Sequence, residues 1–222
     1  ECYKSYILDE EDQIDIISTK NSTYGYLAVN GGFDLEKIWG SYSINTKANI
    51  GPNNGKKYSI NDKIFIKKID IKSTINKKIN YDYSTDNIIR IIKGTNFDYF
   101  SKDAMDKFFN EDFLITNLAD RMGIRLKGPK LENIGSTNIK SEGLVRGVIQ
   151  VPADGNPIIM LSDHGTVGGY PKIGVVIAAD LDLIGQLIPG TKINFKEVSL
   201  EEAQNIFKAY TEDTNKYLNE CN

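Results

Sequence analysis

The chain has 222 residues, 40% of them apolar and 26% charged, with a formal net charge of −3. That is enough for one large domain or two small ones, and disorder is not the expectation. So small a charge gives no reason to expect nucleic acid or an anionic membrane as partner, and no apolar run reaches the roughly 18 residues of a membrane span. The two cysteines, Cys2 and Cys221, stand near opposite ends. They form no disulfide framework and fit a reduced cytoplasm, with a staple between the chain ends as the alternative. The single histidine, His164, excludes zinc sites built on several His and Cys ligands, and any triad would depend on that one imidazole. No basic-then-apolar leader opens the chain. Glu1-Cys2-Tyr3 is not an initiator sequence, so residues upstream are expected.

Residues 1 to about 85 read as strands and turns. Lys4 to Leu8, Ile14 to Ser18 and Tyr24 to Val29 are short β-prone runs separated by polar punctuation. Asn30-Gly31-Gly32 ends the third, Gly51-Pro52-Asn53-Asn54-Gly55 is a long turn signal, and Asp62 to Lys67 suits a strand. The polar stretch Lys72 to Ser84 reads as a linker, dividing the chain into lobes at 1–85 and 86–222.

The second lobe opens with the compact strand Ile88 to Ile92. Ser101 then caps a helix carrying Ala104, Met105, Phe108 and Phe109 on one face. Asp112 to Asn117 returns to strand. From Arg121 to Lys127 the residues alternate, with Met122, Ile124 and Leu126 on one face and Arg121, Gly123, Arg125 and Lys127 on the other. Val145 to Val151, Ile158 to Leu161 and Ile173 to Ala179 are further strands. Asp180 can cap a short helix with Leu181, Ile184 and Leu187, stopped by Pro189-Gly190. A strand over Thr191 to Val198 follows, and then a capping box, Ser199 to Glu202, opens a helix presenting Leu200, Ala203, Phe207, Tyr210 and Tyr217. Strands dominate and no βαβ alternation recurs, so the expected class is mainly β with a few helices, a closed or nearly closed barrel of short strands.

The densest chemistry lies in Ser162 to Lys172, between two apolar strands. The pair Gly168-Gly169 lets the backbone approach a ligand or take positive φ, and its amides can form an anion-binding concavity. Asp163 and His164 offer acid–base groups, and Thr166 and Tyr170 offer hydroxyls. A plain β-turn carrying surface Asp and His is the competing reading. Asp154-Gly155 is a turn signal, but Gln150, opposite the Ile149/Val151 face, presents a carboxamide suited to a urea-like or lactam group. Only four of the 27 basic residues are arginines: Arg90, Arg121, Arg125 and Arg146. In a Lys-biased chain they fall where a flat bidentate donor is wanted, and Arg121 and Arg125 flank Gly123 with room for a ligand carboxylate; a solvated exterior is the alternative. No P-loop is present, and no lysine is flanked by methionines as in a biotin carrier.

The stretch from Val148 to Pro189, with Gly168-Gly169-Tyr170-Pro171 inside it, resembles one family in particular. Its members are known as the biotin-dependent carboxyltransferase domain, the second subunit of allophanate hydrolase, or the C subunit of 5-oxoprolinase. Tyr26 to Asp34, Gly40 to Ser43, Asp120 to Leu126, Pro189 to Phe195, Val198-Ser199 and Glu201 to Ala203 agree with it. The resemblance implies two cyclophilin-like β-barrel lobes. It implies a companion of the B type, related to the first subunit of allophanate hydrolase, and often a further companion of the A type. One branch opens 5-oxoproline to glutamate with ATP; another moves carboxyl from carboxybiotin to urea. Neither cofactor is expected on this chain alone. On this reading Gln150, Gly168, Gly169 and Tyr170 read the planar N–C=O unit, and Arg121 or Arg125 holds a carboxylate. Asp163, His164 and Tyr170 are the catalytic candidates, with Thr166 and Lys172 as further binding candidates. A non-catalytic module that binds the companion is the remaining possibility. Several departures stand out. The family's upstream Thr-Val-Gln-Asp-Gly-like segment is missing, so the first lobe is expected to be incomplete. Tyr42 stands where Arg is usual, and Gly165 where Gln is usual. His164 falls where Arg or Ala is common. These departures point to altered specificity or lost activity in this copy.

Overall fold

The computed structural model describes residues 3–67, 78–79 and 87–220. Cys2 and Cys221, and the linker apart from Lys78 and Ile79, lie outside the described residues. Packing divides the chain into one unit of residues 1–5, 10–24 and 77–222 and another of residues 6–9 and 25–76.

The first unit is built on a barrel. Its strands are β1 (Ile88–Lys93), β2 (Phe113–Ile115), β3 (Gly123–Lys127), β5 (Val148–Gln150), β6 (Ile158–Met160), β8 (Lys172–Val176) and β9 (Lys192–Glu197), and they close in the order β1-β8-β5-β6-β3-β2-β9. All neighbours are antiparallel except β1 and β9, which run parallel. Alternation explains why these segments are strands. Ile89 and Ile91, Phe113 and Ile115, Ile124 and Leu126, and Ile193 and Phe195 turn inward and are buried, while their neighbours turn out. β4 (Glu142–Gly143) and β7 (Val167–Gly168) form a separate two-stranded ribbon.

Three α-helices appear among the described residues: α1 (Lys102–Asn110), α2 (Leu181–Gln186) and α3 (Leu200–Glu220). Ser101 caps α1 as expected, its hydroxyl accepting from the Ala104 amide at 3.1 Å. Ala104 and Phe108 are fully buried, and the Phe108 ring stacks on Phe195 at 4.4 Å between centroids. Ser199 caps α3 through the Glu202 amide at 3.1 Å. Asp180 does not cap α2. Its carboxylate instead accepts from the Arg90 amide at 2.8 Å and from the Arg90 guanidinium.

Two expectations are corrected. The runs Lys4–Leu8, Ile14–Ser18, Tyr24–Val29 and Asp62–Lys67 do not form strands; besides a 3-10 turn at Asn53–Gly55, the described residues up to 67 make only isolated bridges, such as Lys4 with Lys78 and Phe33 with Ile66. A β-prone run becomes a strand only where a partner accepts its ladder and covers its face, and Ile7, Ile16 and Ile17 are exposed. Residues 23–24 are held differently, by bonds from the Thr23 and Tyr24 amides to the Gln186 carbonyl and side-chain oxygens, both at 2.9 Å. The alternation from Arg121 also breaks. The Asp120 carboxylate accepts from the amides of Met122 (2.8 Å) and Gly123 (3.2 Å), an Asx turn that delays β3 to Gly123 and leaves Met122 exposed rather than beside Ile124.

In the second unit the Asp34 amide bonds to the Phe65 carbonyl at 2.7 Å and the Lys67 amide to the Gly32 carbonyl at 3.0 Å. Tyr42, one of the departures from the family pattern, lies beneath two ammonium groups, with Lys37 Nζ 5.0 Å and Lys67 Nζ 5.9 Å from its ring centre.

Candidate functional site

Ile149 and Ile173 point into the barrel and belong to its core. The next residue back or forward in each strand must point out. Gln150 on β5 and Lys172 on β8 are register partners and share that outer face. Outward polar residues on a barrel normally meet solvent, yet these two are 3% and 4% exposed. The cover is the β4–β7 ribbon, whose strands pair Glu142 with Gly168 and Gly143 with Val167. Bonds from the Ile139 amide to the Gly169 carbonyl (2.9 Å) and from the Leu144 amide to the Thr166 carbonyl (3.0 Å) extend it.

The ribbon supplies charge as well as cover. Glu142 Oε2 accepts from Lys172 Nζ at 2.6 Å. The Lys172 hydrogen bond holds the Glu142 carboxyl below its ordinary range, with smaller help from the Asn96 and Thr95 side chains, while burial works the other way. Asn96 Oδ1 in turn accepts from the Lys172 amide at 3.1 Å, and the Lys172 carbonyl accepts from the Asn96 amide at 3.2 Å. Gln150 Nε2 donates to the Tyr170 carbonyl at 3.3 Å. A carbonyl only accepts, so this bond fixes the carboxamide's orientation and leaves Oε1 without a donor among the described residues.

Two glycines make the cluster possible. A Cβ on Gly168 would stand 2.5 Å from Gln150 Nε2, and one on Gly94 would stand 2.3 Å from the Lys172 carbonyl oxygen. Gly168 and Gly169 do not take positive φ, and the group in close approach at Gly168 is the chain's own Gln150 side chain.

The remaining candidates lie apart. Arg121 grips Asp163 in two parallel bonds, Nε to Oδ2 at 2.9 Å and Nη2 to Oδ1 at 3.0 Å. Arg125 is exposed on β3 and contributes, after Asn156 and backbone bonds, to lowering the Asp154 carboxyl. The two guanidinium groups therefore face different carboxylates of the chain itself. His164 is half-buried and its Nδ1 donates to the adjacent Gly165 carbonyl at 2.6 Å. Thr166 is exposed, and the Tyr170 ring is 39% exposed with its backbone in the cluster. At Gly165 a Cβ would meet only the Val167 carbonyl at 3.5 Å, so the turn has room for a side chain.

The structure thus gathers Gln150, Gly168, the Tyr170 backbone and Lys172, and adds Glu142, Asn96 and Thr95, which sequence reasoning missed. Among the described residues the buried polar side chains are Asn96, Gln150, Lys172 and Asp180. Three of the four fall in this one cluster, and the fourth is matched to Arg90. No three His, Cys, Asp or Glu among the described residues come together to hold a metal, and no described helix is long and apolar enough to cross a membrane.

A closed barrel carrying a buried ammonium and carboxamide on its outer wall defines a β-barrel protein. The chain belongs to the carboxyltransferase-domain family, subdomain A and B, whose profile matches residues 1–197. It is 35% identical over 178 residues to the C subunit of 5-oxoprolinase from Escherichia coli strain K12, a match covering 80% of this chain and 57% of that protein. It is 28% identical to the urea amidolyase of Saccharomyces cerevisiae, over 82% of this chain and 11% of that one. The crystal structure of the Kluyveromyces lactis urea carboxylase shares the fold, with a TM-score of 0.75 at 24% identity over 86% of this chain and 19% of that one. The chain spans a little over half the length of its 5-oxoprolinase relatives.

Proposed function

We propose that this chain serves as one component of an ATP-dependent 5-oxoprolinase, in which water opens the lactam of 5-oxoproline to glutamate. ATP is handled by companions of the B type and, where present, the A type, in the cytoplasm. The observation that carries the reading is the Gln150–Lys172 pair. 5-Oxoproline presents a planar N–H/C=O unit and a carboxylate. Gln150 Oε1 lacks a donor, as a site for a lactam N–H would, and Lys172 is a buried ammonium suited to an anionic oxygen. The names of the Escherichia coli and Haemophilus influenzae relatives, at 35% and 33% identity, support the hydrolase. His164 and Asp163 remain the acid–base candidates, although they lie apart from the Gln150–Lys172 pair, and Tyr170 the candidate hydroxyl. Arg121, Arg125, Thr166 and the amides of Gly168 and Gly169 remain binding candidates, although Arg121 would first have to leave Asp163.

Urea amidolyase relatives favour a second reading, transfer of carboxyl from carboxybiotin to a urea-like acceptor; a non-catalytic component that binds its companion is the third. Reconstitution separates them. The chain mixed with its B-type and A-type companions is expected to release glutamate from 5-oxoproline and ATP, and to lose that activity with Gln150→Leu while the complex still assembles. Bicarbonate-dependent carboxylation with a biotin carrier would favour the second reading, and an assembled complex that turns over nothing would favour the third.

A further inference from the structure

Lys172 and Glu142 are unequal partners. The Lys172 side chain is 4% exposed and fixed on a barrel strand, whereas the Glu142 side chain is 45% exposed and sits on a ribbon strand of two residues. The ammonium has three protons to donate, and among the described residues only Glu142 Oε2 receives one. Beside it Gln150 is 3% exposed, and its Oε1, bonded to no described residue, is not among the buried orphan atoms and so keeps access to solvent. A buried cation with spare donors, next to a carboxamide oxygen that no described residue bonds, is a pair that an anionic ligand with an N–H would complete. Its one anionic contact comes from the most solvent-accessible member of the cluster. That is the geometry of an internal group occupying a ligand's place: a side chain that swings into water at little desolvation cost, over a cation that cannot follow it.

We infer that Lys172 is the anchor for the anionic oxygen of the ligand and that Glu142 is a resident carboxylate which must leave before that ligand binds. This deepens the reading of the Gln150–Lys172 pair as a recognition site and rests on it. The ligand class is a small carboxylate, or a group with a comparable anionic oxygen, carrying an N–H that reaches Gln150. Glu142 then acts as a gate on specificity, since a neutral ligand gains nothing by displacing it.

The test uses acetate as the probe, against chloride at equal ionic strength. Binding is read from the NMR shifts of the Gln150 side-chain amide and the Gly168 amide. An intramolecular carboxylate competes at an effective concentration of millimolar or more, so Glu142→Gln is expected to raise acetate affinity about tenfold or more over wild type. Lys172→Met is expected to abolish the acetate-specific shifts. Equal affinity in Glu142→Gln and wild type, or unchanged binding in Lys172→Met, overturns the inference. If Glu142→Gln fails to fold, Glu142→Asp withdraws the carboxylate by one methylene and keeps its charge. It is expected to bind acetate more tightly than wild type, and equal affinity again overturns the idea. A parallel titration with L-5-oxoproline separates the two levels of the argument. Acetate binding at Lys172 in Glu142→Gln without 5-oxoproline binding leaves the inference standing and removes the support for the hydrolase reading.

Discussion

Replacing Gly168 by alanine tests whether the glycine pair serves the Gln150 carboxamide or the chain's own flexibility. The added Cβ would lie 2.5 Å from Gln150 Nε2, 2.9 Å from Leu144 Cδ1 and 3.2 Å from Gln150 Cδ. Both side chains must shift, and Gln150 is sealed against the barrel wall with its Nε2 committed to the Tyr170 carbonyl at 3.3 Å. Overpacking of this kind costs about 1–3 kcal/mol, and a displaced carboxamide loses a bond worth about 1 kcal/mol. The sum is about 2–4 kcal/mol, against an alanine gain from the unfolded chain of about 0.4–1 kcal/mol. Gly169→Ala is the control. Its Cβ would meet the Ile139 carbonyl at 3.2 Å and Ser141 Oγ at 3.6 Å, so a shift of a few tenths of an ångström suffices, and the expected change is within about 1 kcal/mol of wild type. Urea unfolding followed by far-ultraviolet circular dichroism measures both. Gln150→Ala combined with Gly168→Ala is expected to recover part of the loss, because the clash is with that side chain. If Gly168→Ala proves as stable as Gly169→Ala, Gln150 does not occupy the place assigned to it and the cluster is misdrawn.

Three further outcomes are expected. Gly94→Ala drives a Cβ to 2.3 Å from the Lys172 carbonyl oxygen and 2.8 Å from the Gly174 amide nitrogen, both backbone atoms; it is expected to lower unfolding stability by at least about 2 kcal/mol, and a neutral result in urea unfolding would contradict the close approach of the β1 end to β8. Asp180→Ala removes a carboxylate 3% exposed that accepts from the Arg90 amide and guanidinium, a loss of about 2–3 kcal/mol, since the half-buried guanidinium can meet water while the amide loses its acceptor; Asp180→Asn, which keeps an acceptor for the amide, is expected to cost less. Glu142 has a folded pKa below its ordinary value of 4.5, so its contribution to stability is fully present above about pH 4.5 and fades as pH falls through the lower folded value. Lys172→Met is expected to return the Glu142 titration, followed by carboxyl-carbon NMR, towards the ordinary range and to flatten that acid limb.

The sequence exposes the barrel because its strands alternate about a solid core. Ile89 and Ile91, or Ile124 and Leu126, announce a face at spacing 2, and Ser101 before Ala104 announces α1. It misleads before residue 67, where Ile7, Ile16 and Ile17 look like strand residues but find no ladder among the described residues. Strand propensity is local, while a strand needs a neighbour that only the tertiary structure provides. The site divides in the same way. Gln150 and Lys172 are visible as polar residues interrupting apolar strands. Glu142 is not, because Lys140-Ser141-Glu142-Gly143 reads as an ordinary polar loop, and its link to Lys172 exists only through cross-strand pairing with Gly168. The scarcity of arginine points to bidentate carboxylate partners for two of the four but not to their source: Arg90 meets Asp180 and Arg121 meets Asp163 through paired bonds, while Arg146 makes one contact to Asp182 at 3.4 Å, all within the chain.

The barrel interior cannot itself be the recognition site. Phe108, Phe113, Ile149, Ile159, Ile173 and Ile193 fill it at 0% exposure, as side chains fill other small barrels. On the proposed reading a ligand is read from outside, where a bare wall would offer only solvated groups with weakened electrostatics. The ribbon resolves this. By lying over β5 and β8 it turns two outward side chains into buried ones, so that an ammonium and a carboxamide act in a drier setting than their position on the wall would give. The floor is rigid, since β8 is bonded to β1 on one side and β5 on the other. The cover runs into β8 through Gly169, Tyr170 and Pro171 and meets the wall through the Lys172–Glu142 pair and the packing of Gly168 on Gln150. On the proposed reading, exchange of ligand falls to the cover, and the group there that moves first is the carboxylate of Glu142.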